Sequence, residues 1–322
     1  MLRMISGTKP AFCSLLFMLA QAAAVAAPTS RATAEPELSA AKAAAARPVV
    51  PMVQGIGDAE NATFTSDGRL LVTGGANIYE ITKSGAGYVA TALYDGTCNF
   101  TGVVEYAGYV YTTCGEGSNL LQLTPYLLAA PLSPQMKFEV IHRFTKVGIP
   151  NGLAVDSRGR LFVTDFTPLA GKVVTVSLEP GSPVRVAREE VWHGMGHPLA
   201  NGLKIYDGKV YMTDLGDIKV IPIEADGSAG RATVLASRLA VLDDLYVSDQ
   251  GIVVGDFYGG QLLYYTLSGK LLKQTPMLFR SPSSITPGRG GLVPTGALVV
   301  TEKGALGELT STDGNRVSIY TP

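Results

Sequence analysis

"VGIPNGLAVDSRGRLFVTDF" (Val147–Phe166) and "PLANGLKIYDGKVYMTDLGD" (Pro198–Asp217) carry one pattern twice. Each has Asn-Gly-Leu, a short apolar run, a turn glycine, a second apolar run and Thr-Asp. Two apolar runs around a tight Gly turn read as an antiparallel hairpin. The pattern extends along the chain, with further copies opening at Glu60, Thr101, Asp243 and Ser283. With those at Asn151 and Asn201 this makes six copies, spaced 40 to 50 residues apart on average. Strand-like segments such as "GQLLYYTLSGKLLKQT" follow each pair, giving four strands per repeat. That period and content mark propeller blades.

The expected fold is therefore all-β: a six-bladed β-propeller over residues 49–322 with a central metal-binding channel. A long sandwich has no reason to repeat its motif at intervals, and no segment shows the helical periodicity of an α/β barrel. The segment Val49 to Val53 stands before Glu60 as "VATALYD" stands before Thr101, and is expected to complete the last blade.

The ends and the composition bound the rest. Residues 1–26 read as a signal peptide: Arg3 and Lys9, an apolar core from Phe12 to Val25, and the small-x-small site Ala24-Val25-Ala26. Residues 27–48 read as a disordered Ala/Pro-rich linker. The expected location is secreted or periplasmic. Lys+Arg is 26 and Asp+Glu is 27, so no basic face points to nucleic acid. No later stretch is long enough to span a bilayer, so no stable membrane insertion is expected after cleavage. The expected partner is a small-molecule substrate, and the expected state is a monomer. Cys98 and Cys114 flank a hairpin whose ends fold back on each other, so a disulfide between them is expected in an oxidising compartment.

The inner strand of each blade lines the central channel, so the first positions of the six copies converge on the axis. They are Glu60, Thr101, Asn151, Asn201, Asp243 and Ser283. Two carboxylates and two amides make an oxygen-rich set suited to a hard divalent cation. A merely wet polar channel is the bland alternative, and Asn-Gly also serves as a turn signal.

The chain resembles six-bladed propellers of the senescence marker protein (regucalcin), gluconolactonase and diisopropyl-fluorophosphatase type. "PNGLAVDSRGRLFVTD" is close to their blade motif. In that family a Glu opens the first blade and Asn, Asn and Asp open the third, fourth and fifth, around a divalent metal. Glu60, Asn151, Asn201 and Asp243 match in blade and order. The resemblance implies a divalent cation, calcium first, with Mg²⁺, Mn²⁺ or Zn²⁺ as alternatives. It also implies hydrolysis of a lactone, a related ester or a phosphotriester. Two departures are visible: "ENATF" follows the first Glu without the family's Gly-Pro, and Ile149 stands where the gluconolactonase branch has a sugar-binding arginine.

Such a cation would polarise the substrate carbonyl, and Asp243 is the candidate catalytic base or nucleophile. No Gly-x-Ser-x-Gly elbow competes. Thr101 and Ser283 are candidate substrate contacts. So are Trp192, His193 and His197, read as a loop walling the pocket, with a His as proton shuttle. A zinc site at His193 and His197 is disfavoured by the two glycines between them. Asp165, Asp214, Asp256 and Glu302 close the second strands and read as structural turn caps. The alternatives to a hydrolase are a non-catalytic binding propeller and a non-hydrolytic biosynthetic enzyme using the same pocket.

Overall fold

A computed structural model describes residues 49–119, 122–305 and 309–322. The expected signal peptide and linker lie outside the described residues. Blade 1 holds β2 (Ala59–Phe64), β3 (Leu70–Gly74), β4 (Asn77–Ser84) and β5 (Gly87–Ala92), and the strand before it is β1 (Val50–Gln54). Blade 2 holds β6 (Asn99–Tyr106), β7 (Tyr109–Glu116), β8 (Thr124–Pro131) and β9 (Glu139–Arg143). Blade 3 holds β10 (Pro150–Val155), β11 (Leu161–Asp165), β12 (Gly171–Leu178) and β13 (Val186–His197). Blade 4 holds β14 (Ala200–Tyr206), β15 (Lys209–Asp214), β16 (Asp217–Pro222) and β17 (Thr233–Ser237). Blade 5 holds β18 (Leu242–Ser248), β19 (Gly251–Asp256), β20 (Gln261–Tyr265) and β21 (Leu271–Gln274). Blade 6 holds β22 (Pro282–Pro287), β23 (Leu298–Glu302) and β24 (Arg316–Tyr320), and β1 is its fourth, outermost strand.

All six sheets are antiparallel meanders, and the described residues contain no α-helix. Each first strand packs on the first strands of both neighbouring blades, and β2 packs on β22, so the ring closes. The closure pairs Val50 with Ile319 and Gln54 with Arg316, as the sequence pattern anticipated. Hydrophobic clusters fill the space between the blades. The one built on Leu71, Ile78, Phe100, Val110 and Leu128 joins blades 1 and 2.

Every inner strand carries one extra residue at its head. The register breaks between Ala59 and Asn61, Phe100 and Val103, Pro150 and Leu153, Ala200 and Leu203, Leu242 and Leu245, and Pro282 and Ser284. A bulge of this kind bends the strand and re-aims a side chain. It falls at Glu60, Thr101, Asn151, Asn201, Asp243 and Ser283, the positions read as the channel ring.

Candidate metal centre at the channel mouth

Two repeated features build the ring. The first is the Thr near the end of the second strand. Thr164 Oγ1 accepts the Gly152 N–H (2.7 Å) and donates to the Asn201 carbonyl of the next blade (2.5 Å). Thr73 does the same for Asn61 and Thr101, at 3.1 and 2.5 Å. Thr213 donates to the Asp243 carbonyl, and Thr301 donates to that of Glu60 (3.0 Å). One hydroxyl thus fixes a bulge and pins the next channel residue.

The second feature is the glycine after the channel residue. A Cβ on Gly152 would lie 2.7 Å from the Asn201 carbonyl oxygen, and one on Gly202 would lie 2.4 Å from Asp244 Cα. These glycines are there for close approach between blades and not for a turn.

Four ring residues come together as follows. Glu60 is buried, and its Oε1 accepts from Asn151 Nδ2 at 3.3 Å across the channel. Asn201 Oδ1 and Asp243 Oδ1 are buried without any hydrogen-bond partner. Burial first, then the Glu60 charge, pushes the Asp243 carboxyl well above the usual carboxylate range. Glu60 is pushed up by its burial, against the pull of Lys303.

The other two ring residues are spent on the scaffold. Ser283 Oγ donates to the Ala59 carbonyl at 2.6 Å, and Thr101 Oγ1 shares a 2.9 Å hydrogen bond with Thr113 Oγ1.

Several charged residues in the channel escaped sequence reading. Lys303 Nζ pairs with Glu60 Oε2 and lies 3.4 Å from Asp58 Oδ1. Burial alone would lower the lysine, but Asp58, Glu60 and Asp243 more than reverse that and hold it as ammonium. Beneath the ring, Asp244 accepts from Asn61 Nδ2 (3.1 Å) and pairs with Lys204 Nζ (2.5 Å). A signal for both lay in the six aligned copies. Lys303 is the one charged residue among Gly75, Gly115, Phe166, Leu215 and Phe257. Asp244 stands where Gly102, Gly152 and Gly202 stand.

The residues present fit a divalent cation by two observations. Asn201 and Asp243 aim hard oxygens with no partner at the channel. Asp58, Glu60, Asp243 and Asp244 outnumber the two ammonium groups of Lys204 and Lys303, and the raised Asp243 and Glu60 carboxyls mark a crowding that a bound cation would relieve by favouring their ionised forms. Among the described residues no three His, Cys, Asp or Glu side chains form a ligand cluster, because half of this oxygen set is asparagine.

The stretch around Trp192 is not a loop. It belongs to the 12-residue strand β13, which Gly171 allows to run on: a Cβ there would lie 2.0 Å from the His197 carbonyl oxygen. Trp192 stacks edge-on against Phe162 (5.0 Å) and its Nε1 donates to the Gly227 carbonyl (2.9 Å), so the indole is committed to the seam between blades 3 and 4. His197 is buried and its Nε2 is 2.9 Å from His193 Nδ1. Its Nδ1 lies 3.5 Å from Asp214 Oδ2, which also takes Lys219 Nζ at 2.5 Å. Burial, then His197, lowers His193, which is therefore neutral near pH 7. This carboxylate–imidazole–imidazole chain adjoins Asn201, since Asp214 pairs with Ala200.

The second-strand acids hold the segments leading into the ring. Asp165 Oδ1 accepts the Gly148 and Ile149 N–H groups (3.2 and 3.0 Å), Asp214 accepts that of Leu199 (2.8 Å), and Glu302 accepts that of Arg280 (2.6 Å). Cys114 occupies the same place in blade 2 and ties its lead-in segment covalently to Cys98, with Cα atoms 5.8 Å apart. Among the described residues no helix is long and apolar enough to cross a membrane.

No family model matches the chain, and no curated protein matches it. Solved structures do. A gluconolactonase of Xanthomonas campestris superposes with TM-score 0.63 at 16% identity, covering 92% of this chain and 98% of that one. Regucalcin of Agrobacterium tumefaciens, described as a calcium-binding protein, gives 0.62 at 11%, covering 85% and 93%. The PQQ-bound aldose sugar dehydrogenase of Streptomyces coelicolor gives 0.57 at 14%, covering 84% and 96%. These likenesses support a six-bladed propeller of this kind. Their different chemistries leave the activity to be argued from the site.

Proposed function

We propose that the chain is an exported, monomeric, divalent-metal-dependent hydrolase of lactones or related esters. The observation that carries the reading is the pair of buried, partnerless oxygens, Asn201 Oδ1 and Asp243 Oδ1, beside Glu60 and Asn151. Buried polar atoms are almost always satisfied, so such a pair calls for an absent ligand. Glu60, Asn151, Asn201 and Asp243 would hold the cation, calcium first by its preference for oxygen ligands. When bound, it supplies Lewis-acid polarisation of the substrate carbonyl.

Asp243 is the group placed to take a proton from the attacking water or to attack directly. Asn151 is oriented by its bond to Glu60, and both asparagine carbonyls are available without adding charge. The His193–His197–Asp214 chain offers a route for the proton toward the rim. The disulfide supports export, since such bonds persist in oxidising compartments.

The mouth favours an apolar carbon skeleton over a sugar. Ile149, Phe166 and Leu199 form a buried cluster with Leu123 and Leu215 beside the heads of β10 and β14. Leu169, Met195, Leu239 and Met277, the most exposed large apolar side chains among the described residues, fall between β11 and β12, at the end of β13, between β17 and β18, and between β21 and β22, the connections at the end where the inner strands start.

The test is a panel of alkyl and aryl lactones and esters, assayed after stripping and restoring divalent metal. Hydrolysis should vanish on stripping, and also in Asp243→Ala. Elemental analysis and metal titration showing no bound divalent ion would sink the reading. A binding role without catalysis is favoured by one observation, the Lys303–Glu60 pair, which places the chain's own cation in the ring. A metal-loaded protein inert on the whole panel would select it.

A further inference from the structure

The proposed ligand Glu60 is already engaged. Its Oε2 faces the Lys303 ammonium, while the same ammonium stands 3.4 Å from Asp58 Oδ1. Lys303 is thus paired with both carboxylates and sits closer to Glu60.

The second partner is fixed in place. Asp58 sits in the turn that leads into β2, in a left-handed backbone conformation (φ 53°) that Asp tolerates. Its N–H donates to Asn315 Oδ1 at 2.8 Å, tying the turn to the closing blade. The lysine's backbone is equally fixed. Its N–H donates to the Ser281 carbonyl (3.1 Å), and the preceding Glu302 is held by Arg316, Ser318 and the Arg280 N–H. What remains free to move is the four-carbon stem of Lys303, a compact point charge on rotatable bonds.

We infer that Lys303 is an internal cation that exchanges with the divalent ion: it covers Glu60 when the site is empty and moves to Asp58 when the ion binds. The inference rests on the metal reading above. Glu60 cannot serve the ammonium and a divalent ion at once, because like charges a few ångströms apart repel in a dry channel. Asp58 accepts the displaced charge. With the ion absent, Lys303 keeps Asp58, Glu60 and Asp243 from facing one another uncompensated.

Two substitutions move binding in opposite directions. Lys303→Met removes the competitor, so calcium should bind roughly tenfold or more tightly, and the metal-free protein should melt at a lower temperature. Asp58→Asn removes the partner that would take the displaced ammonium, so calcium should bind roughly tenfold more weakly. The measurement is calorimetric titration of the purified protein with Ca²⁺, Mg²⁺ or Mn²⁺ alone, with metal-induced rises in melting temperature alongside. A merely structural lysine would lower the metal-free melting temperature without tightening binding. Equal or weaker binding in Lys303→Met, or unchanged binding in Asp58→Asn, overturns the exchange and leaves the metal reading standing. Absence of divalent binding in all three proteins overturns both. Should Lys303→Met fail to fold, Asp58→Asn decides alone.

Discussion

The glycines after Asn151 and Asn201 look like turn residues and are not. Neither lies in the left-handed region, since the positive-φ glycines do not include Gly152 or Gly202. They exist because the next blade's backbone passes within van der Waals reach of where their side chain would be. Gly202→Ala would set a methyl group 2.4 Å from Asp244 Cα and 2.3 Å from its Oδ1. Backbone in a ring of packed blades has little room to yield, so the substitution should cost ~1–3 kcal/mol, the usual range for an overpacked core. It would also push Asp244 off Lys204. Thermal or urea unfolding reads the loss, and a variant as stable as the parent would mean that blades 4 and 5 slide apart freely. The same reasoning shows why the ring was legible and its counter-charges were not. The repeated hairpin fixes which residue heads each strand, and hence that Glu60, Asn151, Asn201 and Asp243 share a register. Lys303, one residue past the second strand of blade 6, and Asp244, one residue past a channel position, each break the repeat only once, so they show as single departures and not as members of the ring.

At the level of the element, each inner strand needs its lead-in segment fixed, and the blades solve this with different chemistry. Blade 4 uses Asp214, whose carboxylate takes the Leu199 N–H, Lys219 and His197. Blade 2 uses the Cys98–Cys114 bond. The two ties should fail under different conditions. Burial tends to raise Asp214, but hydrogen bonds from His197, Lys219 and Leu199 outweigh it and hold the carboxyl below the usual aspartate value. A carboxyl lowered on folding adds stability that is full above its unfolded pKa of about 4 and is lost as pH falls through the lowered folded value. Asp214→Asn should therefore melt lower than the parent at pH 7 and lose less on acidification. Reduction of the disulfide should cost about 3 kcal/mol, from the size of the loop it closes, with no such pH signature. Melting curves from pH 7 to pH 3, with and without reductant, separate the two. Identical acid limbs for parent and Asp214→Asn would remove Asp214 from this role. The strand β13 shows where pattern reading gave out. Gly194 and Gly196 suggested a loop, but pairing to β12 at Gly171 and Val173 carries the strand past both. That pairing is tertiary, and periodicity within one segment does not reveal it.

The whole molecule depends on one non-local joint. Five blades are made of consecutive strands, and blade 6 alone takes its outer strand from the other end of the described chain. That strand, β1, buries Met52 and Val53 in the cluster with Phe64, Leu70 and Val317, and its Gln54 Nε2 donates to the Gly314 carbonyl at 2.6 Å. Blade 6 also carries Ser283, which bonds Ala59 of blade 1, and Lys303, which reaches Glu60. The joint thus holds the first and last blades around the very residues proposed to bind the ion. Removing residues up to Gly55 would strip β24 of its outer partner and leave it as an open sheet edge, a site for aggregation. Burial of Met52 and Val53 alone is worth ~1.5–3 kcal/mol each, before the lost ladder of hydrogen bonds. The shortened chain should melt well below the parent, run as a larger species on size exclusion, and bind calcium more weakly because Glu60 and Lys303 are no longer held in one frame. The decisive comparison is with a chain shortened only to Val49, which retains β1 and should match the parent in all three measurements. If both shortened chains behave alike, three strands suffice for blade 6, and the ring is held by contacts between inner strands and not by the joint between the two ends.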